Sequence, residues 1–156
     1  MKLPNEIKTT GFTLIEPLVA ILIVGILATI GFQTLGPSQI RARDANRKND
    51  LRQIQNALRL YYNDRGKYPD NDASDFSIKG CADGNSKCAW GSAWAIGTTV
   101  YMQILPDDPT PARDYRYART SLDGYTLDAC LENKNDKSGI TAGNWCPSAL
   151  MFEVKQ

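Results

Sequence analysis

The chain has 156 residues, 42% hydrophobic and 22% charged, which suffices for one domain, or one domain plus an anchor, and not for two full cores. Lys and Arg number 18 against 17 Asp and Glu, a net charge of +1, so no global field favours a nucleic-acid partner. Histidine is absent, which removes the commonest general base and metal ligand, and with them His-based triads and most zinc enzymes.

The charge is unevenly spread. Residues 1–37 carry only Lys2, Glu6, Lys8 and Glu16. A basic stretch follows, with Arg41, Arg43, Arg47, Lys48, Arg52, Arg59 and Arg65 against Asp44, Asp50 and Asp64, and the remainder is slightly acidic. From Pro17 to Leu35 there is no charge at all. As a helix at ~1.5 Å per residue this run spans ~28 Å, about one hydrocarbon core. A buried helix of a soluble protein is usually shorter and amphipathic. A cleaved secretory signal has a shorter apolar region and a small-x-small exit site. A plain single-pass anchor leaves Glu16 unexplained, because the apolar character already starts at Phe12. A carboxylate at that depth needs a cation beside it, and the apolar stretch supplies none. A cut just before Phe12 creates one, the new α-amino group.

Gly11-Phe12-Thr13-Leu14-Ile15-Glu16, preceded by a short polar leader with Lys2 and Lys8 and followed by the apolar helix, resembles the class III signal of type IV pilins and type II secretion pseudopilins. The resemblance implies cleavage by a prepilin peptidase between Gly11 and Phe12, and N-methylation of Phe12. It further implies that the Glu16 carboxylate, ~6 Å along the helix from Phe12, meets the Phe12 amine of a neighbouring copy. A methylated amine keeps its positive charge, so the pair sets register in a lipid-like core. The family usually has Leu where this chain has Pro17, a residue tolerated in a first helical turn. Gly25, Gly31, Gly36 and Pro37 weaken the helix, and the family's filaments often unwind locally in this region. The same is expected of this chain in a filament, between about Gly25 and Pro37.

Residues 38–62 read as a continuing helix without Gly or Pro. Leu51, Ile54, Leu58 and Tyr61 form one apolar stripe, expected to pack on the head, with Arg43, Arg47, Asp50 and Arg59 on the polar side. Arg41, Arg43, Arg47 and Lys48 read as a solvated face; a headgroup collar and a nucleic-acid patch are the alternatives. Taken alone they would put the head in the cytoplasm, whereas the leader motif and the cysteines require it outside. Gly66 is a natural helix cap, and Pro69 prevents resumption. The run Tyr61 to Pro69 again resembles the stalk-to-head junction of pilins and major pseudopilins.

Residues 70–98 read as an irregular loop containing Trp90 and Trp94, and Val100 to Leu105 as a short apolar piece stopped by Pro106, Pro109 and Pro111. Strands are expected over 115–119 and 125–131, joined by a turn at 121–124, with a third at 149–154. A sheet this small needs staples. The four cysteines allow three pairings; Cys81–Cys88 and Cys130–Cys146 are favoured because each closes a loop within one segment. A closed loop of about 15 residues stabilises by ~3 kcal/mol in the entropy model. The later pair resembles the disulfide-bounded loop near the C-terminus of many pilins, which would present Asn133, Lys134, Asn135, Asp136 and Lys137 outward. A four-cysteine zinc site is disfavoured by the lack of a Cys-x-x-Cys knuckle. Asp107, Asp108, Asp123, Asp128 and Asp136 raise calcium, which some major pseudopilins bind in the head, but no closely spaced oxygen-ligand loop matches, and no metal or other cofactor is assigned. No phosphate loop or serine-nucleophile motif is present, and no catalytic residue is assigned.

The expected fold is α+β and pilin-like: a long N-terminal helix, half transmembrane and half amphipathic, packed on a small antiparallel sheet. Its parts are a leader over 1–11, an assembly helix over 12–37, a stalk over 38–66 and a disulfide-stapled head over 67–156. The resemblance implies a structural subunit of a helical homo-oligomeric filament, not an enzyme. It would be held in the inner membrane before assembly with its head outside the cytoplasm, and be periplasmic or extracellular afterwards. A prepilin peptidase, an assembly platform and an ATPase are its implied partners, and no specific nucleic acid is expected. The stalk-to-head junction points to a secretion pseudopilin, and the C-terminal cysteine pair to a pilus pilin. The reading from another class is a signal-anchored surface module that does not polymerise and grips a ligand with Trp90, Trp94 and Tyr101.

Overall fold

A computed structural model describes Gly11 and residues 13–33, 35–111 and 113–156; the side chains of 30–33 and 35 lie outside it. The leader with Lys2 and Lys8, and Phe12 itself, are outside the described residues. By its contacts the chain divides into two units, Met1–Ser38 and Gln39–Gln156.

In the first unit, helix α1 (Ile15–Gln33) begins where Glu16 donates its amide to the Thr13 carbonyl at 3.2 Å. Pro17 is its third residue, in the first turn, where a missing N–H breaks no helical bond. Gly25 lies inside the helix. Among the described residues no helix is long and apolar enough to cross a membrane.

Helix α2 (Leu35–Arg65) supplies one wall of the second unit. Gly36 and Pro37 occupy its first turn, and Thr34 is outside the described residues. The helix stops at Gly66, whose φ of 67° suits a residue without Cβ and whose amide donates to the Tyr62 carbonyl at 2.8 Å. Leu51, Ile54, Leu58 and Tyr61, with Ala57, form the buried face.

That face packs on a four-stranded antiparallel sheet ordered β5-β6-β8-β7, from β5 (Arg116–Arg119), β6 (Tyr125–Cys130), β7 (Ile140–Thr141) and β8 (Leu150–Lys155). Tyr117, Leu127 and Ala129 point into the core, as does Tyr125. Two of the tyrosine hydroxyls find acceptors: Tyr115 donates to Asp50 at 2.7 Å and Tyr117 to the Pro69 carbonyl at 2.8 Å. β7 was not expected from the sequence. At two residues it is too short to alternate visibly, and it exists because the chain around Gly139 comes close to Leu150. A Cβ on Gly139 would lie 2.5 Å from that side chain.

Residues 70–98 are not the irregular loop expected. They hold β1 (Lys79–Cys81) paired with β2 (Ser86–Lys87), and β3 (Trp94–Ile96), which pairs with β4 (Thr99–Met102) just beyond them. Each strand has four residues or fewer and each pairing carries a register shift, so no period of two could emerge. Cys81 is bonded to Cys88 across β1 and β2, and Cys130 to Cys146 around the connection leading to β8. Leu58→Ala should cost about 2–5 kcal/mol, because Leu58 is fully buried between helix and sheet; thermal melts of the full chain in detergent check it, and an unchanged midpoint would mean the stripe does not carry the core.

Candidate functional site: the helix head and the Arg47 clasp

Every described side chain of α1 is exposed, including Ile15 at 68% and Ile21 at 72%. Such a rod, apolar all round, buries its surface only in lipid or against other helices. Glu16 is the acid in its first turn and is exposed. Its charge there is favoured by the helix dipole. No Lys or Arg occurs between Phe12 and Arg41, so no side chain nearby in the sequence neutralises Glu16. Gly11 is exposed, and Phe12, the other member of the expected pair, lies outside the described residues.

Of the basic collar, Arg41 is exposed as the sequence suggested, but Arg43, Arg47 and Lys48 are not a solvated face. Arg47 is fully buried and gathers three carboxylates: Asp108 at 2.7 Å, and Asp44 and Glu132 at 2.8 Å each. It also donates to the Thr110 hydroxyl at 2.8 Å. Arg43 forks onto Glu132 through Nε at 2.8 Å and Nη2 at 2.5 Å. Lys48 reaches Asp136 at 2.5 Å. Asp44, besides holding Arg47, accepts the backbone amides of Glu132 at 2.9 Å and Asn133 at 2.8 Å. The clasp therefore ties α2 to the β4–β5 connection and to the start of the Cys130–Cys146 loop. That loop is not wholly an outward surface, since its Asp136 is committed to the helix, although Lys134, Asn135 and Lys137 are exposed.

The hydrogen bond from Arg43, with Arg47 adding to it against the opposing effect of burial, pulls the Glu132 carboxyl down to about 2. Lys48 and Ser138 pull Asp136 down to about 2. Burial alone would lower the Arg47 pKa, but its carboxylates outweigh burial and the net direction is up. Folded values below the unfolded ones mean that this stability is present above pH ~4.5 and is lost as pH falls toward 2.

On the sheet face away from α2, Arg116, Asp128 and Glu153 stand side by side in register. The Arg116 guanidinium is stacked 3.8 Å from the Phe76 ring centroid and 4.7 Å from that of Trp145. Burial, with Glu153 adding and Arg116 opposing, pushes Asp128 up to about 6.

The aromatic residues proposed as a ligand grip belong to the core instead. Trp94 is fully buried and donates its ring N–H to the Gly80 carbonyl at 2.9 Å, and Tyr101 is 7% exposed beside it. Trp90 is half-buried, edge-on to Tyr115. This removes the aromatic site on which the non-polymerising binding module rested. Among the described residues no group of three or more Cys, Asp or Glu is placed to hold a metal ion. The Arg47 clasp escaped the sequence reading because two of its acids, Asp108 and Glu132, come from distant segments. The one local signal was Asp44 placed three residues before Arg47.

Two outcomes follow from this electrostatic layout. Arg47→Ala should destabilise by about 3–5 kcal/mol, since it strands buried carboxylates, and denaturant titration measures it. Asp128→Asn should raise the melting temperature at pH 8 and not at pH 4. A carboxyl held at about 6 gives stability below pH ~3.8 that fades as pH rises through 6.

The family model for type II secretion system protein G matches residues 35–144, and the prokaryotic N-terminal methylation motif matches residues 8–32. The chain is 30% identical over 142 residues to the type II secretion system core protein G of Vibrio cholerae, covering 88% of this chain and 92% of that one. It is 34% identical over 102 residues to the protein of the same description from Aeromonas hydrophila, covering 65% and 68%. It is also 30% identical over 63 residues to the type IV major pilin protein PilA of Myxococcus xanthus, covering 40% and 29%. No solved structure matches it.

Proposed function

The chain belongs to the type II secretion system protein G family, and from that premise we propose that it is the major pseudopilin of a secretion system, the repeating subunit of a short periplasmic filament. The observation that carries this is the joint match of the protein G family over 35–144 and the methylation motif over 8–32. The alternative within the class, an extracellular pilus pilin, is supported by a relative that matches over only 40% of this chain.

The mechanism is assembly. The apolar run from Pro17 to Leu35 holds the subunit in the inner membrane with its head in the periplasm. A prepilin peptidase cuts after Gly11 and exposes the Phe12 amine, which is then methylated without losing its charge. In the membrane Glu16 is costly while unpaired, because no cation of its own chain lies at that depth. Pairing with the Phe12 amine of the preceding subunit removes that cost and fixes the axial offset between neighbours at about four residues, ~6 Å. Each added subunit presents a fresh amine or carboxylate to the next, so the contact propagates. Platform and ATPase supply the work, and the clasped, disulfide-stapled head stays folded as the rod leaves the bilayer.

Intact mass of the protein from cells should begin at Phe12 with one added methyl group. Glu16→Ala should leave cleavage and membrane insertion intact while abolishing sedimentable filaments. A mass beginning at Met1, or normal filaments from the Glu16 variant, would overturn the mechanism.

A further inference from the structure

The clasp consumes Arg43 and Arg47 on the inner side of α2 and Lys48 on its flank, and leaves three other arginines of the helix. Arg41, Arg52 and Arg59 are exposed. Among the described residues none of them has a carboxylate within 4.0 Å. Separated by eleven and seven positions, they fall within about 20° of one line along the helix. Exposed Ala45, Asn49, Asn56 and Asn63 lie beside the line, and Lys48, seven positions after Arg41, falls on it but is paired with Asp136. The stripe lies roughly 80–160° around α2 from the buried Leu51, Ile54 and Leu58.

The complementary charge is on the β4–β5 connection. Asp107 and Asp114 are exposed and have no cation within 4.0 Å among the described residues. Between them, Asp108 is gripped by Arg47, which sits roughly 120–140° around α2 from the arginine stripe. Asp114 also feels Asp107, Asp75 and Asp108, so negative charge is concentrated there and held only partly in check by Lys87. The unit Gln39–Gln156 thus carries a basic face and an acidic edge on different sides. Two different patches of opposite sign make a heterologous contact, which repeats head-to-tail and gives an open helical array when the rotation does not close.

We propose that the Arg41–Arg52–Arg59 stripe of one copy docks on the Asp107–Asp114 edge of a second copy, as a stalk-to-head contact of the filament. This rests on the filament reading above and adds the surfaces that select register outside the membrane. Opposite charges at such an interface steer approach and penalise wrong registers more than they add affinity.

The test is charge reversal and its rescue in the full chain, produced in cells holding the assembly machinery, with sheared polymer as the readout. Arg52→Glu with Arg59→Glu should reduce polymer roughly tenfold, and Asp107→Arg with Asp114→Arg should do the same. The four changes together should recover polymer to within about a factor of two of wild type, as a direct pair requires. Retention of both disulfides and an unchanged melting temperature show that each variant folds. Wild-type polymer from either reversed pair, or a combined variant as defective as its worse parent, would overturn the proposal. Loss of binding to phosphatidylglycerol vesicles in the arginine variant with polymer unchanged would also overturn it, by assigning the stripe to lipid. A wild-type chain that forms no polymer would sink the filament reading itself, and the two failures are thereby told apart.

Discussion

A carboxylate at the head of an apolar rod, with no cation of its own within reach, constrains the rest of this molecule. Glu16 sits in the first turn of α1, among side chains that are exposed at every described position. In water that placement is nearly neutral and even mildly favoured by the helix dipole. In a bilayer it is a standing cost of several kcal/mol by insertion scales, relieved only by an opposite charge at the same depth. In the proposed filament that charge comes from another copy. The same feature then explains why the subunit is held in the membrane singly and why it assembles. Apolar packing alone would give helices that adhere at many offsets, whereas an ion pair in low dielectric selects one.

The head meets the opposite demand. It has few elements and must keep its shape while its anchor changes environment. Its tyrosine-rich core does part of this, because rings such as Tyr68 and Tyr125, 4.6 Å apart, bury large area, while the Tyr115 and Tyr117 hydroxyls reach polar partners. The two disulfides restrain the connections that lack long strands. The clasp around Arg47 does the remainder, tying the β4–β5 connection and the Cys130–Cys146 loop to one helix face. A fully buried guanidinium with three carboxylates is weak evidence of net stability. Its effect is specificity: the loops have one arrangement in which Arg47, Arg43 and Lys48 are all satisfied.

What could be read from the sequence followed the strength of its periodicities. The stripe Leu51, Ile54, Leu58 and Tyr61, the cap at Gly66 and the strands near 116–119 and 125–130 follow from spacings of three to four and of two, which survive in any context. The hairpins between Lys79 and Met102 do not, because two- to four-residue strands with register shifts have no period to display. Trp94 and Tyr101 looked like a ligand grip because a polar, glycine-rich segment surrounds them, yet that segment folds over them and makes them core. Arg47 looked solvated because its partners Asp108 and Glu132 lie 61 and 85 positions away, beyond any local pattern. At the helix head, Gly11 to Glu16 was legible as chemistry before any geometry, since a lone acid in an apolar run is anomalous on solvation grounds alone.

The basic stretch after the apolar run shows how one composition can serve two tasks. Seven positions from Arg41 to Arg65 are basic, and their partners on the head sort six of them. Arg43, Arg47 and Lys48 are paired with acids on the head and stop acting as a charge field. Arg41, Arg52 and Arg59 turn outward with their charge intact. A stalk whose inner cations were unpaired would repel its own copies, and one whose outer cations were paired internally would offer neighbours only hydrogen bonds. Splitting them lets the subunit satisfy its interior while keeping an unbalanced face. In the proposed filament an unbalanced face and an oppositely unbalanced edge on another side are satisfied by a second copy, the logic proposed for Glu16, here in water at higher dielectric and with correspondingly softer consequences.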